Sequence, residues 1–164
     1  MKFWISFSFF VFVIISGCSD KGTNNKPENF TGITYTDING NINGTVDTDD
    51  WHIQSGTPPY KSREIYGPLG GLPDSFEVKP AYPNPTDGII TLTFAFPVAL
   101  EYDIRIIDKY RHVLARYDST ADAGFLTINW APVDSAGHPL PADIYRVVYQ
   151  FYGLWGKGDI QVVP

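Results

Sequence analysis

One thiol and one run of oxygen donors are the groups in this chain whose type and spacing could do chemistry. Cys18 is the only cysteine among 164 residues, so no internal disulfide can form. It follows an apolar run, Phe3 to Ile15, broken only by Ser6 and Ser8, and it precedes the polar stretch Ser19 to Asn29. A core cysteine is expected inside a strand or helix. This one instead stands at a boundary, where a thiol is useful as a nucleophile for attaching a lipid. The second group is Asn39, Asn41, Asn43, Asp47 and Asp50. Counted from Asn39, oxygen donors fall at positions one, three, five, nine and twelve, with Gly44 at six and apolar Val46 at eight. That spacing brings hard oxygens onto one calcium ion. The competing interpretation is a pair of Asn/Gly/Asp turns joining two short strands, since nothing after Asp50 can continue as a helix past Gly56.

Other chemistries find little support. His52, His112 and His138 are scattered with no metal-ligand spacing. Ser55, Ser119 and Ser135 lack the context of a nucleophile elbow. The chain is therefore expected not to be an enzyme and to need no cofactor, calcium at the Asn39–Asp50 loop excepted. Its formal charge is −6, and becomes −7 if Lys2 leaves with a cleaved leader. Nucleic acid is excluded as a partner, because phosphate contacts need a basic patch.

The elements that must position these residues begin with the leader. Lys2, the apolar run and the small residues Ser16 and Gly17 have the order of a signal peptide, and the run is shorter than the roughly 17 residues that a bilayer crossing needs. Residues 1–17 are thus a signal peptide. Residues 18–29 are a polar flexible tether, 30–71 a short β- and turn-rich segment, and 72–164 a β-sandwich domain. No stretch after Phe30 carries the apolar spacing of a helix, so the chain is all-β. In "IITLTFAF", Ile90, Leu92, Phe94 and Phe96 share one face. "EYDIRIID" sets Tyr102, Ile104 and Ile106 against Asp103 and Arg105, and "HVLARY", "FLTINW", "DIYRVVYQFY" and "DIQVVP" add further strands. Turn clusters between them suggest a two-sheet sandwich of immunoglobulin type. Trp130 is expected in its core. Trp51, Tyr60, Tyr66, Tyr152 and Trp155 lie near loops, where they either stack on glycans and envelope partners or pack the first segment onto the sandwich.

Two resemblances add to this. Ile15-Ser16-Gly17-Cys18 resembles the lipobox of bacterial lipoproteins, which implies cleavage before Cys18, its acylation, and attachment to a membrane through the N-terminal lipid. Ser19 in place of Asp points to the outer membrane. The stretch from Leu72 to Pro164 resembles the C-terminal Ig-like domains related to the flagellar hook-capping protein, a pattern shared with the C-terminal sorting domains of type IX secretion cargo. The likeness rests on Tyr82-Pro83-Asn84-Pro85 before an alternating strand, and on Trp130, Asp134, Gly137, Pro141 and Tyr145. It implies an adhesive or structural module, or alternatively a sorting signal; the calcium loop gives a third function, calcium-dependent binding. Pro83 and Pro85 hold Tyr82 and Asn84 extended. Asn84 is expected to bond local backbone, and Gly88 to take a positive φ before the strand. Tyr110 and Asp143 occupy positions where such domains usually carry glycine, and Asp143 is suited to the left-handed region.

Overall fold

The computed structural model describes residues 26–55 and 76–164. Cys18, the leader, most of the tether, Tyr60 and Tyr66 lie outside the described residues.

The described chain is all-β, with eight strands: β1 (His52–Ser55), β2 (Glu77–Tyr82), β3 (Ile90–Phe96), β4 (Leu100–Ile107), β5 (Val113–Ala121), β6 (Gly124–Trp130), β7 (Asp143–Phe151) and β8 (Leu154–Val162). They form two antiparallel sheets, ordered β2-β3-β6 and β1-β8-β7-β4-β5. Without β1, this is the strand distribution of an immunoglobulin-type sandwich, in which the chain changes sheet after β3, β5 and β6.

Alternation explains the core. Ile90, Leu92 and Phe94 are fully buried and Phe96 nearly so, facing Ile104, Ile106, Val147, Tyr149, Phe151 and Ile160 from the other sheet. Each such side chain contributes about 1.5–3 kcal/mol on burial. Trp130 is buried, as its strand position implies, and meets the Tyr145 ring edge-on at 6.0 Å. Asp103 points to the outer face yet is buried, because Arg105 lies across it at 2.5 Å and Arg116 at 3.2 Å. A buried carboxylate held this way is a paired charge and not an orphan.

Two strands depart from the sequence pattern for identifiable reasons. β2 contains Pro80, which cannot donate to a ladder; the strand lies at a sheet edge, and its pairing with β3 shifts register between Lys79 and Tyr82. β8 begins at Leu154, five residues before the stretch that alternation picks out, and runs through Gly156 and Gly158. These glycines are strand residues beneath aromatic rings. A Cβ on Gly158 would fall 2.2 Å from Cδ2 of Trp51, and one on Gly156 would fall 2.3 Å from Cε2 of Tyr149. Trp51 itself stacks on Tyr149 at 6.4 Å with rings 11° apart, and is buried in the core. Of the two sequence interpretations of Trp51, packing onto the sandwich is the observed one.

Candidate functional site

The residues singled out by sequence meet at two places: the turns that close the sandwich, and the outer edge of β8.

Three turns share one construction. In Asp37–Asn41, Asp108–His112 and Asp134–His138, Oδ1 of the first Asp accepts the backbone N–H groups two and four residues on, at 2.8–2.9 Å. Its Oδ2 meets the side chain of the fifth residue: Nδ2 of Asn41 at 2.8 Å, Nδ1 of His112 at 2.9 Å and Nδ1 of His138 at 3.2 Å. The fourth residue has positive φ in each case: Gly40 (79°), Arg111 (68°) and Gly137 (85°). These amide bonds hold the Asp37 and Asp134 carboxyls below the usual range. For Asp37 the side chain of Asn41 is the largest cause, and for Asp134 the backbone of His138. Asp134 and Gly137 of the second motif are thus turn residues. Tyr145 completes that motif by donating its hydroxyl to the Pro141 carbonyl at 2.7 Å, a tyrosine corner at the start of β7.

With Tyr110 where such domains usually carry glycine, the left-handed residue in the β4–β5 turn is Arg111, one place later. Two expectations change here. Asp143 is not left-handed: it opens β7, where burial pushes its carboxyl up but Lys109 Nζ at 2.7 Å and the Ile144 N–H at 2.9 Å together hold it below the usual range. Gly88 likewise is not in the positive-φ region, since the Thr86 hydroxyl accepts its N–H at 3.1 Å and sets the turn instead.

The edge of β8 is where the amino-terminal segment meets the sandwich. An open strand edge presents unpaired N–H and C=O groups that must find partners. Lys157 O accepts from Trp51 N at 2.7 Å, and Asp159 N donates to Asp50 Oδ1 at 2.6 Å. Asp159 O accepts from Asn84 Nδ2 at 2.9 Å, and Gln161 N donates to Asn84 Oδ1 at 2.9 Å. Gln161 O then accepts from Thr86 N, and Val163 N donates to Thr86 O. β1 pairs with the first half of the strand, His52 to Lys157 and Ser55 to Leu154. Two side chains, Asp50 and Asn84, therefore stand in for the peptide groups of a missing strand.

Asn84 reaches further. It is fully buried, its Nδ2 also donates to Thr34 O at 3.1 Å, and its backbone exchanges two bonds with Thr36. The turn-forming residue of the Tyr82–Pro85 motif bonds segments 50 to 77 residues away, and not local backbone. Both X-Pro bonds of this motif, before Pro83 and Pro85, are cis.

The neighbouring charges extend the seam. Arg146 on β7 grips Asp159 through Nε and Nη2 at 2.7 and 2.6 Å, a bidentate pair that is almost wholly buried. The Phe30 ring lies 4.1 Å below its guanidinium carbon, and Glu28 reaches both Arg146, at 3.5 Å, and Arg111. Glu28, assigned to the tether by sequence, is thus already docked on the sandwich. Asp50 also accepts Thr34 N at 3.0 Å. Burial raises its pKa to about 6, with the Asp159 carboxylate adding to the shift and the Thr34 and Asp159 amides opposing it.

The proposed calcium donors are distributed as follows. Asp50 gives both oxygens to backbone amides, and Asn41 gives its amide to Asp37. Asp47 caps Asp49 N at 2.9 Å and lies against Gly32. Asn39 and Asn43 are exposed. A cation at this loop would compete with the two bonds of Asp50. Among the described residues, no three His, Cys, Asp or Glu side chains are grouped to hold a metal ion. Tyr152 is half-buried and in contact with Phe76, and Trp155 is a half-buried β8 residue.

Beside the carboxyl end, Ile89, Pro132, Val133, Leu140, Val163 and Pro164 line an open apolar groove of about 510 Å³. Sequence reasoning did not find it, because its walls come from four separate stretches with no periodic signal.

No protein-family model matches the chain. No curated protein matches it either. Among solved structures, dimeric latent PorU from Porphyromonas gingivalis is similar, at 19% identity and a TM-score of 0.43. The alignment covers 57% of this chain and 10% of that one, so the chain spans about a tenth of that protein's length.

Proposed function

We propose that this chain is a non-enzymatic, lipid-anchored protein of the bacterial cell envelope, whose Ig-like sandwich is a structural or adhesive module for envelope proteins or glycans. The sealed edge of β8 carries this reading. The segment that leads away from the expected anchor at Cys18 is bonded to the terminal strand through Trp51 and Asp50, and Thr34 N in turn donates to Asp50. Force entering from a membrane would pass into hydrogen-bonded sheet and not into a loose hinge. The same arrangement favours retention of the carboxyl-terminal strand, which lies between β7 and β1 and supplies Ile160 and Val162 to the core. A diacylglyceryl group with a further acyl chain on Cys18 would bury enough methylenes for stable residence in the outer membrane. Replacing Cys18 with Ala should move the protein to the soluble fraction, and continued sedimentation with membranes would contradict the anchor.

The groove at the carboxyl end favours a second reading, a sorting signal read by a type IX machine. Val163 and Pro164 line it, next to Ile89, which is 63% exposed. Ile89→Asp and Val133→Asp would spoil such recognition without entering the core. Loss of export by a variant that still folds would support sorting, and normal export would count against it.

A further inference from the structure

The loop between Asp37 and Asp47 contains the tripeptide Ile-Asn-Gly twice, as Ile38-Asn39-Gly40 and Ile42-Asn43-Gly44. Asn-Gly is the dipeptide in which a backbone amide most readily attacks the preceding side chain, because glycine puts no Cβ in the way. With identical neighbours on both sides, any difference in reactivity between the two asparagines must come from the fold. Both side chains are exposed. Their attacking nitrogens are not equivalent. Gly40 N donates to the Asp37 carbonyl at 3.1 Å, inside a turn that Asp37 also fastens through Asn39 N and Asn41 N. Gly44 N has no hydrogen bond among the described residues, and a Cβ built on Gly44 would meet nothing within 4 Å. The third described Asx-Gly pair, Asp87-Gly88, is restrained like the first, with Gly88 N donating to the Thr86 hydroxyl at 3.1 Å.

We propose that Asn43 is a site of self-modification, deamidating through a succinimide while Asn39 in the same sequence context is protected. The Gly44 nitrogen loses its proton to hydroxide and attacks Cγ of Asn43. The N–Cγ bond forms, the Cγ–Nδ2 bond breaks, and Nδ2 takes a proton from water and leaves as ammonia. Water then adds to either carbonyl of the five-membered ring, opening it to aspartate or isoaspartate. The net change is asparagine plus water to a carboxylic acid plus ammonia, with no oxidant or reductant. The product adds one negative charge to a loop that already carries Asp47, Asp49 and Asp50. Its isoaspartyl form adds a backbone atom beside the bond from Asn43 N to Tyr35 O, now 2.9 Å, and so loosens the loop.

The test is to incubate the folded full chain in mildly alkaline buffer, in parallel with the same chain in urea, and to follow both sites by peptide fragmentation. Each event is a gain of about 1 Da. In the folded chain Asn43 should react about five-fold faster than Asn39, the factor to which one net hydrogen bond corresponds. In urea the two rates should converge. Equal rates in the folded chain, faster reaction at Asn39, or the same ratio with and without urea would each overturn the proposal.

Discussion

Asn84 is the most revealing residue to perturb, because its side chain does the work of a strand. Replacing it with Ala leaves three buried groups without partners: Thr34 O, Asp159 O and Gln161 N. At about 1 kcal/mol or slightly more for each, the loss is about 3–4 kcal/mol. That is a large share of the roughly 5–15 kcal/mol that holds a domain of this size together. It corresponds to a fall in Tm on the order of 10 °C. Asn84→Asp should be worse than Asn84→Ala, although it changes only one atom's identity, because a carboxylate oxygen would face the Thr34 and Asp159 carbonyls that now accept from Nδ2. Urea unfolding followed by circular dichroism would measure both variants. Hydrogen exchange should show the Gln161 amide losing protection before those in the β3–β6 ladder. If Asn84→Ala lies within about 1 kcal/mol of the parent, less than the three groups together are expected to cost, the strand-like role of this side chain is refuted.

Asp50 predicts a pH dependence. Its folded pKa of about 6 stands above the 3.8 of a free aspartate, so the folded chain keeps a proton that the unfolded chain gives up. This contribution to stability is full below about pH 4 and is lost as pH rises through 6, by roughly 3 kcal/mol at most. Measured against Asp50→Asn, the parent should therefore lose relative stability across that window, and a flat difference would contradict the assignment. Gly158→Ala drives a methyl into the Trp51 indole and should cost about 2 kcal/mol or more, with a red shift of tryptophan emission. Tyr145→Phe removes the bond to Pro141 O and should cost about 1 kcal/mol, as read from a urea midpoint. Millimolar calcium should leave Tm unchanged, because Asp50 is already committed to two amides; a rise would mean that the Asn39–Asp50 loop rearranges around the ion.

Much of the sandwich was legible from alternation, because β3 buries one clean face and β4 sends Ile104 and Ile106 into the core. Trp130 could be placed for the same reason. What was hidden depended on contacts between distant stretches. Gly156 and Gly158 resemble a turn until Trp51 and Tyr149 are seen lying over them. Pro80 argues against a strand until β2 is known to be an edge. Asn84 reads as a turn former because its residue type suits turns, and nothing local discloses partners fifty residues or more away. One signal was available and unused. Asp followed four residues later by Asn or His recurs at Asp37, Asp108 and Asp134, and each time it marks the same capped turn. Recognising it would have placed the start of the asparagine-rich loop at Asp37 and the left-handed residue at Arg111.

The most direct test of the account is the intact mass of the protein taken from its native membrane. The account predicts a triacylated chain running from Cys18 to Pro164, with β8 retained as part of the fold. A mass that lacks the lipid, or one that ends before β8, would contradict it.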